Sequence, residues 1–597
     1  MFTQHTLRLL LFTFFVHLSP ITKNGEGDDV VTHQTVINGT TFQVAKGLEL
    51  DLAASESLIK WPIVADWDHR GRLVVAECGG VSRPIVEHNK LGLHKIVRLI
   101  DHDNDGFFDE RLIAAEGIGF PEGVLCLGNS ILVAVPPQIL RLTDSDGDGF
   151  CEAQEIWFDG QTITGCANDL HGPYFGRDGK IYWCKGAFAE QQHTLSDGRP
   201  FKSTAAHLYR SNEDGTQLEV VMTGGMDNPV EMAFIPEGEK FFTSTFLQQP
   251  RSGLRDGIAH AIYGGVYGKR HSVLDGHPKT GDLMPVMTQL GPAAPSGLIC
   301  LDDHLLVNPD QNPAAILCSA LFNLHKVSAH QLKINNATYS TTNQDLVSTA
   351  RIDFHPTDVI EDADGSILIL DTGGWYDLCC PTSRVDQKTA SGGIYRISNV
   401  ATKNRARQLP NRQQSASKSS ELSLHDPRPW VRREALRHAR HGNHQVIRTA
   451  MREIANDETS LTSKLRYVWA MCAAGTPDAL QACKQLLNSN ESAVLKVACH
   501  TLALHKHQAS RVDLEQLLEH PDAAICRVAA EAIGRLRNPE SFDAILNSPH
   551  LDSNDRFVRH SLLFAMIEIL QANPECDLPQ ESLNDPQLTA LITVATQ

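Results

Sequence analysis

Two acidic runs and one histidine carry residue types whose spacing suits chemistry. From Asp144 the run DSDGDGFCEAQE sets Asp144, Asp146 and Asp148 at loop positions 1, 3 and 5, Gly149 at 6, Glu152 at 9 and Glu155 at 12. Oxygen donors on alternate residues converge where a glycine lets the chain turn, and a late carboxylate closes the shell; this is the pattern of a hard-cation loop and predicts calcium. The run DHDNDGFFDE repeats the opening with Asp101, Asp103, Asp105, Gly106 and Asp109, but Leu112 stands where the closing carboxylate belongs. Its expected shell is less complete, and in both loops the ion is expected to be structural. Ordinary Asp-Gly hairpin turns are the competing reading. The histidine is His171, in DLHGPYFGRDGKIYW from Asp169. A neutral imidazole can take the proton of an alcohol hydroxyl, so His171 is the candidate base, with Glu122, Glu231 and Asp358 as acidic candidates beside it.

These residues are positioned by a repeat. The stretch from Asp169 has relatives beginning at Trp61, Phe120, Asn228, Ala294 and His355, each with a proline near a polar residue, a turn and an alternating apolar run. Taking Pro62, Pro121, Pro173, Pro229, Pro295 and Pro356 as markers, the spacings are 59, 52, 56, 66 and 61 residues. Alternation with period two over such a repeat predicts radially arranged four-stranded sheets, hence a six-bladed β-propeller over residues 44–398. The first residues of its inner strands, Glu122, His171, Glu231, Ser296 and Asp358, should face one funnel. Residues 399–420 are polar, basic and free of aromatics, as a linker is. From 421 to 597 the pattern changes to amphipathic segments behind acidic or amide residues at Asp426, Asp457, Asn490, Asp522 and Asp555, spaced 31–33 residues apart. That predicts a HEAT-like α-solenoid, with Arg433, Arg527 and Arg559 on its solvated outer faces and a concave surface open to protein partners. The whole chain is expected to be mainly β and then all-α.

The net charge of −18 is uneven: residues 401–597 hold 23 Lys and Arg against 22 Asp and Glu, so the surplus of acid lies in the first 400 residues. Such a front half repels phosphate backbones and excludes nucleic acid as a partner. The 14 cysteines form no CxxC or CxxCH, so neither a zinc ribbon nor a haem site is encoded; in an exported protein some are expected to pair. Residues 1–20 place Arg8 before a short apolar run and read as a signal peptide, with an uncleaved anchor or a buried strand as the rival reading. Residues 21–43 read as a leader. The expected location is exported, in the periplasm or cell envelope.

GLELDLAASESLIKWPIVADWDHRGRLVVAE, the DxDGDG turns, DADGSILILDTGGWY closing on GGIYRIS, and LHDPRPWVRREALRHA opening the helical repeats together resemble the large membrane-bound dehydrogenases of planctomycetes and related bacteria. That family's propeller is similar in turn to soluble quinoprotein sugar dehydrogenases. The resemblance implies oxidation of a carbohydrate, calcium, a pyrroloquinoline quinone cofactor (PQQ) and electrons passed to a separate acceptor such as a cytochrome c. Counted back from FGRDGKIY without a gap, the family's histidine falls on Asn168, three residues before His171, and its Arg-Asn-Pro becomes Asp227-Asn228-Pro229. Asn168, Asp227 and Asn228 are thus the implied cofactor-binding positions, with an acid where a cation should meet a quinone carboxylate. A non-catalytic scaffold that binds glycans or proteins is the alternative.

Overall fold

The computed structural model describes residues 32–575 except 162, 165–169, 249–253, 303–305, 307–312, 375–391, 403–423 and 441–443. The expected signal peptide, most of the linker and Asn168 lie outside the described residues.

Six sheets stand around an axis, and each of the six sequence copies supplies an innermost strand: Pro62–Trp67, Gly123–Leu127, Leu170–Phe175, Asn228–Phe234, Pro295–Cys300 and Pro356–Glu361. Alternating apolar residues bury both sheet faces between neighbouring blades, as in Ile181–Lys185, where all five positions are buried. In five of the six inner strands the ladder slips near the marker proline, for example between His171 and Tyr174 and between Pro229 and Met232. Proline has no N–H to give to the ladder, and the resulting bulge turns the following side chains toward the axis.

The ring closes by pairing its two ends. Gly393–Asn399 of the sixth blade takes Leu48–Ala54 as its outer neighbour. The hairpin Thr32–Ile37 and Thr40–Ala45 then adds to the outside of the fifth blade through Thr349 and its neighbours. Residues 32–43, read from the sequence as leader, are therefore propeller strands; their short polar alternation is that of an edge hairpin, which carries little apolar signal.

Nine α-helices between Pro429 and Ala572 form the solenoid among the described residues. Helices Pro429–Ala439, Leu461–Ala474, Ser492–Leu504, Ala523–Leu536 and Arg556–Ala572 lie against the propeller. Side chains of Tyr182 and Phe242 in the propeller share one hydrophobic core with Trp469, Val497 and Ile533 in the solenoid. Charge follows the same seam. Arg433 bonds Asp66, Arg437 bonds Glu213, Lys496 meets Glu237 at 2.6 Å, Arg527 bonds Glu239 and Arg535 lies 2.8 Å from Glu219. The expectation of solvated arginines at 433 and 527 is corrected: Arg527 is buried and Arg433 half-buried in the junction, where the acidic surplus of the propeller meets the bases of the solenoid. Ten cysteines are unpaired among the described residues, and Cys166, Cys379, Cys380 and Cys576 lie outside them. Among the described residues no helix is long and apolar enough to cross a membrane.

Candidate functional site

The inner strands enclose an axial cavity of about 690 Å³. Glu122, His171, Asp227, Asn228, Glu231, Ser296 and Asp358 all line it, so the funnel-facing set drawn from the repeat is brought together. Close approach of two blades places Glu122 beside His171: a Cβ on Gly123 would fall 1.7 Å from the Gly172 carbonyl oxygen, which only glycine permits. His171 Nε2 lies 2.9 Å from Asn228 Oδ1, and Nδ1 lies 3.6 Å from a Glu122 carboxylate oxygen. Burial pushes the imidazole down to about 4, against hydrogen bonds to Asn228 and the Glu122 backbone that favour the proton. The ring is therefore uncharged at neutral pH. The partner of Nε2 is the Asn228 carbonyl oxygen, so the neutral ring gives Nε2–H to Asn228 and keeps its lone pair on Nδ1, on the Glu122 side.

The carboxylates differ from one another. Asp358 accepts the Ala65 and Val359 amides at 2.9 and 2.8 Å, yet burial pushes its carboxyl up to about 7. Burial, and Asp358 nearby, hold Glu231 well above the usual carboxylate range. Tyr174 donates to the Val230 carbonyl at 2.6 Å and ties the third inner strand to the fourth.

At the mouth Asp227 lies 2.6 Å from Lys269, and Arg255 lies 2.7 Å from Asp256 and 4.7 Å from the Phe246 ring centroid. PQQ carries three carboxylates and an o-quinone. The cations near its expected place are held by their own aspartates, while Glu122, Glu231 and Asp358 line the cavity below. The residues present do not fit this quinone, because Lys269 and Arg255, the cations at the mouth, are already engaged by Asp227 and Asp256 and leave its carboxylates without charged partners there.

The two acidic loops join the third and fourth strands of the first and second blades. Ligand atoms of Asp144, Asp146, Asp148 and Glu152 lie within 4.8 Å of one another, as do those of Asp101, Asp103 and Asp109. The carboxylates are oriented by the loop backbone: Asp144 accepts Gly147 and Gly149 amides, and Glu152 accepts that of Ser145 at 2.9 Å. These oxygens fit calcium. Two expected ligands stand outside these groups. Glu155 sits in the strand Ala153–Asp159 and pairs with Arg141 at 3.4 Å, outside the group, because the hairpin resumes its ladder before a twelfth loop position is reached. Asp105 turns its carboxylate to the Phe107 amide and is not in the group of the first loop.

Three lining residues were not found from sequence: Arg177, Arg432 and Arg466 at the far end. The available signal was the bases spaced three and four apart at Arg433, Arg437 and Arg440 on a helix following an acidic domain.

A sequence family described as a domain of unknown function (DUF7133) matches residues 38–399, and the HEAT-repeat family matches residues 480–567. No curated protein matches the chain. Similar solved structures include a Thermus thermophilus protein described as an oxidoreductase (glucose dehydrogenase), 16% identical over 59% of this chain and 100% of that one, with a TM-score of 0.40. Another is the PQQ domain of pyranose dehydrogenase from Coprinopsis cinerea, 12% identical over 60% and 97%, TM-score 0.40. A calcium structure of a Trichoderma reesei carbohydrate-active enzyme of family AA12 is 10% identical over 60% and 96%, TM-score 0.41.

Proposed function

Taking as premise that the chain belongs to the family of the DUF7133 domain of unknown function, we propose that its axial cavity binds a small polyhydroxylated molecule of the carbohydrate class at the open mouth. One observation carries this reading: His171, uncharged and oriented by Asn228 and Glu122, shares the cavity with Glu231 and Asp358, whose buried carboxyls favour their protons. Neutral donors and acceptors of this kind match sugar hydroxyls better than they match ions. Calcium in the loop from Asp144 belongs to the same proposal, as a brace of the blade rather than a reactant. So do export to the periplasm or cell envelope, kinship with the planctomycete dehydrogenases, and a protein partner on the outward helices of the solenoid, since the inward ones are covered by the propeller.

A second reading, oxidation of a sugar CH–OH with electrons leaving to a separate acceptor, is favoured by the lone pair that the neutral His171 ring keeps, which can accept the hydroxyl proton. Its hydride acceptor is not the tricarboxylate quinone, for which the residues are unsuited. The test is a calorimetric titration of the full chain with a panel of aldoses and polyols, followed by an artificial-acceptor assay. Binding of at least one sugar, weakened in His171→Ala, is expected, and PQQ should bind weakly or not at all. No binding across the panel sinks the carbohydrate reading, and micromolar binding of PQQ overturns the electrostatic argument against it.

A further inference from the structure

The cavity has a second end. Its inner strands run for about 20 Å from the mouth at His171 to the turn at Arg177, at about 3.3 Å per residue. There the solenoid forms a floor from which Arg432 and Arg466 line the same space as Arg177 and Asp302 of the propeller. Arg177 lies 3.0 Å from one Asp302 oxygen and Arg432 bonds the other, so both oxygens are taken. The Asp302 amide is in turn 2.9 Å from Glu361. Three guanidinium groups thus face two carboxylates. Arg466 has no hydrogen bond or ion pair among the described residues, although burial, with Arg432 beside it, pushes its guanidinium down to about 10. A half-buried cation with its fork unfilled is costly unless an acceptor completes it.

We propose that this floor is an oxyanion site, taking a carboxylate or phosphate group on Arg466 with Arg432 and Arg177 alongside. A guanidinium offers two parallel N–H bonds to either group, and the surplus of one positive charge balances a monoanion. The site is independent of the carbohydrate reading: it lies at the opposite end of the cavity and uses none of the mouth residues. Free phosphate and the carboxylate of an acidic sugar share the chemistry that the three arginines recognise.

The full chain is titrated calorimetrically at low salt with inorganic phosphate, D-glucuronate and D-glucose, as wild type, as Arg466→Gln and as Arg448→Gln, a change at an exposed arginine elsewhere on the solenoid. Phosphate or glucuronate is expected to bind, with affinity falling about tenfold in Arg466→Gln and unchanged in Arg448→Gln, as for loss of one charge-assisted pair. Whichever anion binds tighter identifies the source. Failure of both anions to bind the wild type, or equal binding by Arg466→Gln, overturns the proposal. Should Arg466→Gln not fold, Arg466→Lys, which keeps the charge and loses the fork, is expected to weaken binding about threefold, and unchanged binding there counts equally against it. Glucose reads the mouth separately. Glucose bound without either anion removes the floor site alone, and an anion bound without glucose leaves it standing while the carbohydrate reading loses support.

Discussion

At the residue scale, burial rather than charge count sets behaviour. Asp66 accepts the Trp67 and Cys126 amides at 2.8 Å each and is bonded by Arg433, yet burial still raises its carboxyl. Arg433→Met leaves that acid with backbone partners only and is expected to cost about 3 kcal/mol in urea unfolding; adding Asp66→Asn should return part of the loss. A double variant no more stable than the single one would contradict the pairing. His171, with its imidazole at about 4 in the fold, is neutral when folded but takes a proton near its ordinary value of about 6.5 when unfolded. Its contribution is present above that value and is lost as pH falls toward 4. The stability gap between wild type and His171→Gln should therefore narrow by roughly 1–2 kcal/mol between pH 7 and pH 4.5. A gap that is constant with pH would show the imidazole to be unshifted.

At the element scale, the second-blade hairpin holds four carboxylates together, offset by backbone amides, the Ser145 hydroxyl and Arg98 at 3.9 Å from Asp144. Calcium at millimolar concentration should raise the melting temperature, chelator should reverse the rise, and Asp146→Asn with Asp148→Asn should abolish it. Glu155→Gln should leave the shift intact, because Glu155 lies outside the group. A shift lost in Glu155→Gln but kept in the double variant would restore the twelve-position reading. The turn at Gly179 shows how one element serves two. Its φ of +73° suits glycine, and a Cβ there would meet Arg440 of the solenoid at 3.3 Å. Gly179→Ala is therefore expected to strain the turn and loosen the junction together.

At the scale of the molecule, the solenoid is the floor of the propeller. Trp469 donates to the Pro236 carbonyl at 2.8 Å, His560 Nε2 lies 2.9 Å from the Tyr263 carbonyl, and Trp430 packs on Trp67 with ring centroids 5.0 Å apart. Limited proteolysis should cut within 403–423, and the two fragments should remain together on gel filtration and melt in one transition. Fragments that separate in low salt would contradict the shared core. Raising the salt should loosen the nicked pair only modestly, since buried ion pairs are screened less than exposed ones.

Sequence alone determined the architecture, because a propeller blade and a helical pair are each set by local periodicity: Pro62 to Pro356 marked six inner strands, and the 31–33-residue spacing marked the helices. It also placed Glu122, His171, Glu231, Ser296 and Asp358 on one funnel, since each lies within two residues of a marker proline at the start of an inner strand. Tertiary structure decided what depends on contacts between residues far apart. Lys269 neutralises Asp227 from 42 residues away, and Arg433 reaches Asp66 across 367, so neither pairing has a spacing from which it could be read. The closing of Thr32–Ala45 onto the fifth blade and the turning of Arg466 into the cavity floor are likewise outcomes of burying two complementary surfaces at once. Periodicity specifies which face of an element is apolar; only the packed whole specifies what that face meets.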